Sequence, residues 1–274
     1  MSAPTPSLSA PETVPVEAAP GPRRPHPVLV TLAVLGVLVA AAAGVAQLLG
    51  NAVHSTTVTE ATYTPASPHL AVTTNSGDVS LLPSTDGAVH VRTQARHGLN
   101  RPDLVADAGP TGLVLDSHCN GFLADFCQVS YTIAVPSTLS VTVSTGVGDI
   151  VVRDLDGRVD ADTTGGDVLL TGLGGDVTVR TISGDVVGTG LRSGSVLAES
   201  TVGDVTVATT TAPTGVTARS TVGDVDVAVP ASRPYRVDTG NGSGQTRILL
   251  PVDPAATATV SATSDSGDVT VRPG

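Results

Sequence analysis

The sequence predicts an all-β fold, a β-solenoid built as a two-sheet parallel β-roll with coils of 18–20 residues, behind one N-terminal transmembrane helix. Three observations predict the roll. A Ser or Thr, two variable residues, Gly-Asp and a β-branched residue recur as Thr145-Gly-Val-Gly148-Asp149-Ile150, Thr163-Thr-Gly-Gly166-Asp167-Val168, Thr181-Ile-Ser-Gly184-Asp185-Val186, Ser200-Thr-Val-Gly203-Asp204-Val205 and Ser220-Thr-Val-Gly223-Asp224-Val225. The Asp positions step by 18, 18, 19 and 20 residues, a fixed period of the kind that marks stacked coils. A second Gly follows each of the first four phrases, at Gly157, Gly175, Gly194 and Gly215, so one coil holds two strands and two turns. Aromatic residues make up 2% of the 274-residue chain and Trp is absent, which suits a narrow roll filled by Val, Ala, Leu and Ile better than a thick sandwich core.

From the N-terminus, residues 1–27 hold eight Pro among Ser, Thr and Ala and read as a disordered tail, too polar to offset the entropy of ordering. Val28 to Gly50 then runs 23 residues without a charge. As a helix it would span about 34 Å, enough for the ~30 Å hydrocarbon core of a bilayer. Arg23 and Arg24 flank it on one side and the next Arg downstream is Arg92, so the positive-inside rule puts the tail in the cytoplasm and the repeats outside. A cleaved signal peptide is the alternative, with Val28 to Val39 as its apolar region and small residues at Ala41 to Ala46 before the cut. Both readings export the repeats. Residues 51–69, rich in Thr, Ser, Ala and Pro, read as a stalk, with folded structure starting near Leu70.

Residues 70–144 read as an irregular capping part of the solenoid. Strands are expected at Val79 to Leu82, Ala88 to Arg96 and Gly112 to Asp116, separated by turn chemistry at Pro83 to Gly87 and Asn100 to Asp103. An early copy of the repeat phrase, Thr74-Asn-Ser-Gly77-Asp78-Val79, lies in this part. Cys119 and Cys127 are the only cysteines, and in an oxidising exterior the close pair is most simply a disulfide, contributing about 2.6 kcal/mol by loop entropy. Both Phe residues, Phe122 and Phe126, lie in the loop that these cysteines enclose. They plug the open end of the roll or form an apolar contact for a partner. Val129, Tyr131, Ile133 and Val135 alternate against polar neighbours, and two strands are expected across Pro136 to Leu139. The regular coils, residues 145–274, begin near Thr145, Thr163, Thr181, Ser200, Ser220 and Thr239, with a degenerate phrase at Gly244-Gln245 and Asp268 ending the series.

Net charge is −11, and all 14 basic residues are Arg, which excludes the basic face that nucleic acid requires. Gly172-Leu-Gly174-Gly175 lacks the following helix of a dinucleotide loop. The histidines stand at no metal-ligand spacing, Gly242-Ser243-Gly244 lacks the wider Gly-x-Ser-x-Gly pattern and a base for its hydroxyl nearby, and neither a cofactor nor an enzyme is expected. The column Asp149, Asp167, Asp185, Asp204 and Asp224 is the one constellation with a physical puzzle. Stacking at ~4.8 Å sets like charges side by side, repelling by ~0.9 kcal/mol per neighbour even in water. Asx-turns within each coil would satisfy the carboxylates locally; calcium bridging the column would be the alternative.

The run from Cys127-Gln-Val-Ser-Tyr131-Thr-Ile-Ala-Val-Pro136 into serial Ser/Thr-x-x-Gly-Asp-Val phrases resembles the bacterial putative-adhesin family of β-strand-repeat domains of unknown function, over about Leu70 to Gly274. The resemblance implies an extracytoplasmic β-solenoid and carries over no catalytic residue. The Lys-free, Ala-, Val-, Gly- and Thr-rich composition is similar to that of actinobacterial proteins. Two functional classes follow. One is a membrane-anchored surface module that binds wall polymer, polysaccharide or protein through a long face; the other is a structural or sensory envelope scaffold acting through its cytoplasmic tail.

Overall fold

The computed structural model describes residues 35–41, 44, 55–64, 67–98, 101–119 and 127–274. The chain divides into two units, Met1–Leu49 and Gly50–Gly274. In the first, residues 35–41 and 44 are helical, and Leu35, Val37, Leu38 and Val39 are 60–68% exposed. The rest of the expected membrane span and the whole of the expected tail lie outside the described residues. Among the described residues no helix is long and apolar enough to cross a membrane.

The second unit is all β. Its first strands are β1 (Ser55–Tyr63), β2 (His69–Ser76), β3 (Val79–Pro83), β4 (Val89–His97), β5 (Asp103–Gly109), β6 (Gly112–His118) and β7 (Gln128–Val135). Five strand pairs follow: β8 (Ser140–Val147) with β9 (Ile150–Arg153), β10 (Val159–Gly165) with β11 (Val168–Thr171), β12 (Val177–Ser183) with β13 (Val186–Leu191), β14 (Ser195–Val202) with β15 (Val205–Thr209), and β16 (Gly215–Val222) with β17 (Val225–Val229). Two more pairs end the chain, β18 (Arg236–Ser243) with β19 (Thr246–Ile248) and β20 (Thr259–Ser266) with β21 (Val269–Pro273).

The first strand of each pair joins a ten-stranded sheet and the second an eleven-stranded sheet. Neighbouring coils pair in parallel, Val159 with Val177, Val177 with Val196, and Val196 with Val216. Alternation along each strand sends one row inward: Val168, Leu170, Val177, Val179, Val186, Val205, Val207, Val216 and Ala218 are all at most 2% exposed. Small and β-branched side chains fill the space between the sheets, and the fully buried aromatic Tyr235 satisfies its hydroxyl by donating to the Pro230 carbonyl at 2.9 Å.

Four sequence expectations need correction. The stalk gives way to structure at Ser55, because β1 pairs antiparallel with β4 along its whole length, from Ser55 opposite His97 to Tyr63 opposite Val89. Asp103 opens a strand rather than closing a turn, since β5 adds antiparallel to β6 at the end of the ten-stranded sheet. The early phrase at Thr74 is a regular coil, not part of the cap: β2 pairs with β8 and β3 with β9 in parallel, and the cap proper is β4 to β7 together with β1.

The fourth correction concerns coil order. The β20–β21 pair, last in sequence, stacks directly on β16–β17, and β18–β19 is displaced to the end of the roll. Packing explains the exchange. Val260, Ala262, Val269 and Val271 are fully buried, whereas β19 is exposed throughout. The more apolar coil takes the position with a neighbour on each side and the more polar coil faces solvent. Asn241, not Thr239, occupies the Ser/Thr position of this end coil, opposite Ser264.

Two predictions follow from the packing. Val260→Ala should cost about 2 kcal/mol in denaturant unfolding of the full-length chain, and Val237→Ala less than half as much. Equal costs, or the reverse order, would show that the coils stack in sequence order. Tyr131, 4% exposed, has its phenol pKa raised by burial, with the Ser117 hydroxyl opposing. A folded pKa above the unfolded value of ~10 means stability fully present below pH ~10 and lost as the pH rises through the folded value. Tyr131→Phe should flatten that alkaline limb in a plot of unfolding midpoint against pH.

Candidate functional site

The repeat phrase builds one corner of the roll, and each of its residues bonds to the adjacent coil. The Gly residues of the phrase, from Gly148 to Gly267, have φ between 136° and 153°, a region that favours glycine. Space requires glycine too: a Cβ on Gly166 would collide with the Gly148 carbonyl, one on Gly184 with that of Gly166, and one on Gly203 with that of Gly184. Those carbonyls accept hydrogen bonds from the Ser or Thr of the following coil. Thr145, Thr163, Thr181, Ser200, Ser220 and Ser264 donate over 2.8–3.3 Å. All six are at most 5% exposed.

The Asp column resolves in the same way. The backbone N–H of Asp167 donates to Asp149 Oδ1 at 2.9 Å, that of Asp185 to Asp167 at 2.8 Å, that of Asp204 to Asp185 at 2.8 Å and that of Asp224 to Asp204 at 2.7 Å. Asp78 and Asp268 extend the ladder at its two ends, accepting from Asp149 and Gln245 at 3.1 and 2.8 Å. The expected Asx-turn is therefore replaced by a bond between coils. A hydrogen bond to a charged acceptor is worth roughly 1.5–3 kcal/mol, less at an exposed edge, against the ~0.9 kcal/mol of like-charge repulsion. Oδ1 of each carboxylate in the column is thus engaged by an N–H donor, whereas a calcium ion takes six to eight oxygens. Among the described residues no group of three His, Cys, Asp or Glu is placed to hold a metal ion.

Cys119 and Cys127 are bonded, with Cα atoms 5.8 Å apart, tying the end of β6 to the start of β7. Phe122 and Phe126 lie outside the described residues. His90 meets Asp86 at 2.8 Å and His118 meets Asp116 at 2.9 Å, two separate pairs rather than one cluster.

A feature missed by the sequence reading lies on the outer face of the ten-stranded sheet. A groove of ≈ 560 Å³ crosses the strands from Ser144 to Thr263, running in the direction in which the coils stack. Register places Asp162, Arg180, Glu199 and Arg219 side by side along it. Arg180 lies 3.1 Å from Glu199 and 4.0 Å from Asp162, and Arg219 lies 3.7 Å from Glu199. Thr164, Ile182, Thr201 and Thr221 form the facing wall, all exposed. The signal was present in the sequence: each charged residue immediately precedes the Ser or Thr of a repeat phrase.

Replacing Asp185 by Asn keeps an acceptor for the Asp204 N–H and should be mild, while Ala loses a bond worth about 0.5–1.5 kcal/mol. Gly184→Ala meets both strained φ and a backbone oxygen and should cost more than about 2 kcal/mol. Thermal unfolding of the three variants, with and without millimolar calcium, checks this; a calcium-dependent rise in midpoint that Asp185→Asn abolishes would contradict the hydrogen-bonded ladder.

Comparisons with known proteins bear on the fold. A search of curated proteins finds no significant match. Among solved structures, a putative adhesin from Bacteroides fragilis aligns with a TM-score of 0.51 and 19% identity, covering 80% of this chain and 97% of that one. A putative cell adhesion protein from Clostridium sporogenes aligns with a TM-score of 0.41 and 10% identity over 80% of this chain and 100% of the other. The first likeness shows a shared fold. The family model described as Toastrack DUF4097 matches residues 68–273, from the start of β2 to the end of β21, and the chain belongs to that family.

Proposed function

We propose that the chain is a non-enzymatic, membrane-anchored surface module of the adhesin-like kind, whose roll lies outside the cytoplasm and binds a wall polymer, polysaccharide or surface protein. The groove across the ten-stranded sheet is the observation that carries this reading. It presents charged and hydroxyl side chains along one line over five consecutive coil strands, β8 to β16, and on to β20. The buried hydroxyls on its floor, Thr163, Thr181, Ser200 and Ser220, are committed to backbone carbonyls and are poor nucleophiles as placed. The shared fold with a protein described as a putative adhesin supports the same class.

Anchoring rests on the uncharged run from Val28 to Gly50 and on Arg23 and Arg24 before it. With β1 starting at Ser55, four residues separate that run from the first strand.

The full-length chain in detergent should be retained by cell-wall material, and Arg180→Asp with Arg219→Asp should lose most of that retention while leaving the melting temperature within a few degrees. Protease added to intact cells should remove the roll and spare a tag at the N-terminus. Absence of retention, or a tag cleaved from outside, would refute the binding role or the topology respectively.

A further inference from the structure

We infer that the groove takes a neutral linear glycan, laid along the roll with one sugar residue per coil. This rests on the binding role proposed above and names its ligand. The groove runs across the strands, so its features repeat at the strand spacing of ~4.8 Å. A ligand with one unit per coil must advance at that interval, and one that follows the alternating charges must repeat over two coils. An extended peptide presents side chains to one face at every second residue, about 6.6 Å apart, a spacing that matches neither one coil nor two. A pyranose ring with equatorial linkages spans close to one coil. The groove also lies on a sheet face, away from the edges where a peptide strand finds unpaired backbone groups.

Charge narrows the choice further. Asp162, Arg180, Glu199 and Arg219 alternate in sign and sum to zero. A polyanion placed over this row meets Asp162, Glu199 and Asp265 as repulsive neighbours, and a polycation meets the two Arg. Sugar hydroxyls both donate and accept, and suit a row in which acceptors and donors alternate at the same interval. Capacity remains for them. Arg180 uses its Nε–H on Glu199, and Arg219 holds Glu199 at 3.7 Å, beyond hydrogen-bond length. The exposed hydroxyls of Thr164, Thr201 and Thr221 face the row from the other wall. The wall carries no aromatic ring for a sugar to stack on, so each residue binds weakly and affinity accumulates with length.

Calorimetric titration of the full-length chain in detergent tests this, with two probe series: β-1,4-linked N-acetylglucosamine oligomers and β-1,4-linked glucose oligomers, each of two to six residues. In at least one series the Kd should fall about three-fold or more per added sugar and level off at five or six, where the groove ends. The double variant Arg219→Ala, Thr201→Val should weaken the hexamer about ten-fold with an unchanged melting temperature, while Arg272→Ala on the other sheet should leave it alone. Affinity that is flat with length, a double variant that binds as well as wild type, or binding of polyglutamate in place of both sugar series would overturn the assignment. Retention on wall material without binding of either series would overturn the glycan assignment alone, and loss of both would overturn the binding role with it.

Discussion

The corner at which the repeat phrase stacks on itself governs the rest of the roll. A parallel pair of strands leaves its turn backbone without sheet partners, and an unpaired backbone group away from water costs as much as a lost hydrogen bond. Here the groups of the Gly-Asp corner find partners in the adjacent coils. The Gly carbonyl accepts the Ser or Thr hydroxyl of the following coil, and the N–H of each Asp is accepted by the Asp carboxylate of the preceding coil. The β-branched residue after Asp donates its N–H to the Asp carbonyl of the following coil, as Val168 does to Asp185 at 2.8 Å. The phrase therefore has no free position except its two variable residues, and the column of charges that looked costly in sequence is part of what joins the coils.

The same chemistry explains where the roll ends. At the N-terminal end β7 carries no Gly-Asp phrase, and Ser130 Oγ accepts the Asp78 N–H at 3.3 Å while the Val129 carbonyl accepts Thr74. Antiparallel strands β4 and β1 then continue the eleven-stranded sheet. At the other end Gln245 replaces Asp. It still donates its N–H to Asp268, but offers a neutral amide, engaged by Arg247 at 3.3 Å, where a further coil would look for a carboxylate. Asn241 in the Ser/Thr position leaves its buried amide without a hydrogen-bond partner, a local cost borne at the end of the stack. Both ends thus depart from the phrase at the positions that would have bonded to another coil.

Much of this was legible in the chain. The period, the two strands per coil and the inward rows follow from the spacing of Gly-Asp and from strict alternation, which has no helical alternative among β-branched residues. The elements that were misread lack a buried face. β1, Ser55 to Tyr63, and β5, Asp103 to Gly109, are edge strands exposed along most of their length, so no hydrophobic alternation announces them, and only pairing with β4 and β6 defines them. Coil order was hidden for another reason. Sequence adjacency favours stacking in order, but the energy depends on which coil buries more apolar surface, and Val260, Ala262, Val269 and Val271 outweigh the Gly-rich Arg236 to Ser243. The groove was missed because its charged row lies one residue before each phrase, outside the repeating part of the repeat.

That displacement is itself informative. With the corner committed to joining coils and the inner rows committed to packing, the outward positions of the ten-stranded sheet are among those where the sequence can vary without cost to the fold. Along one outward row the residues are Ser144, Asp162, Arg180, Glu199, Arg219 and Thr263, a run in which opposite charges sit at adjacent rungs. Exposed ion pairs of this kind contribute at most about 1 kcal/mol each, and a Thr row would solve the folding problem as well. Stability does not require four charged side chains in line, half-exposed along an open groove. The binding role proposed above would use them: alternating donors and acceptors, held at a spacing fixed by the backbone ladder beneath them, form a template whose period a ligand would share.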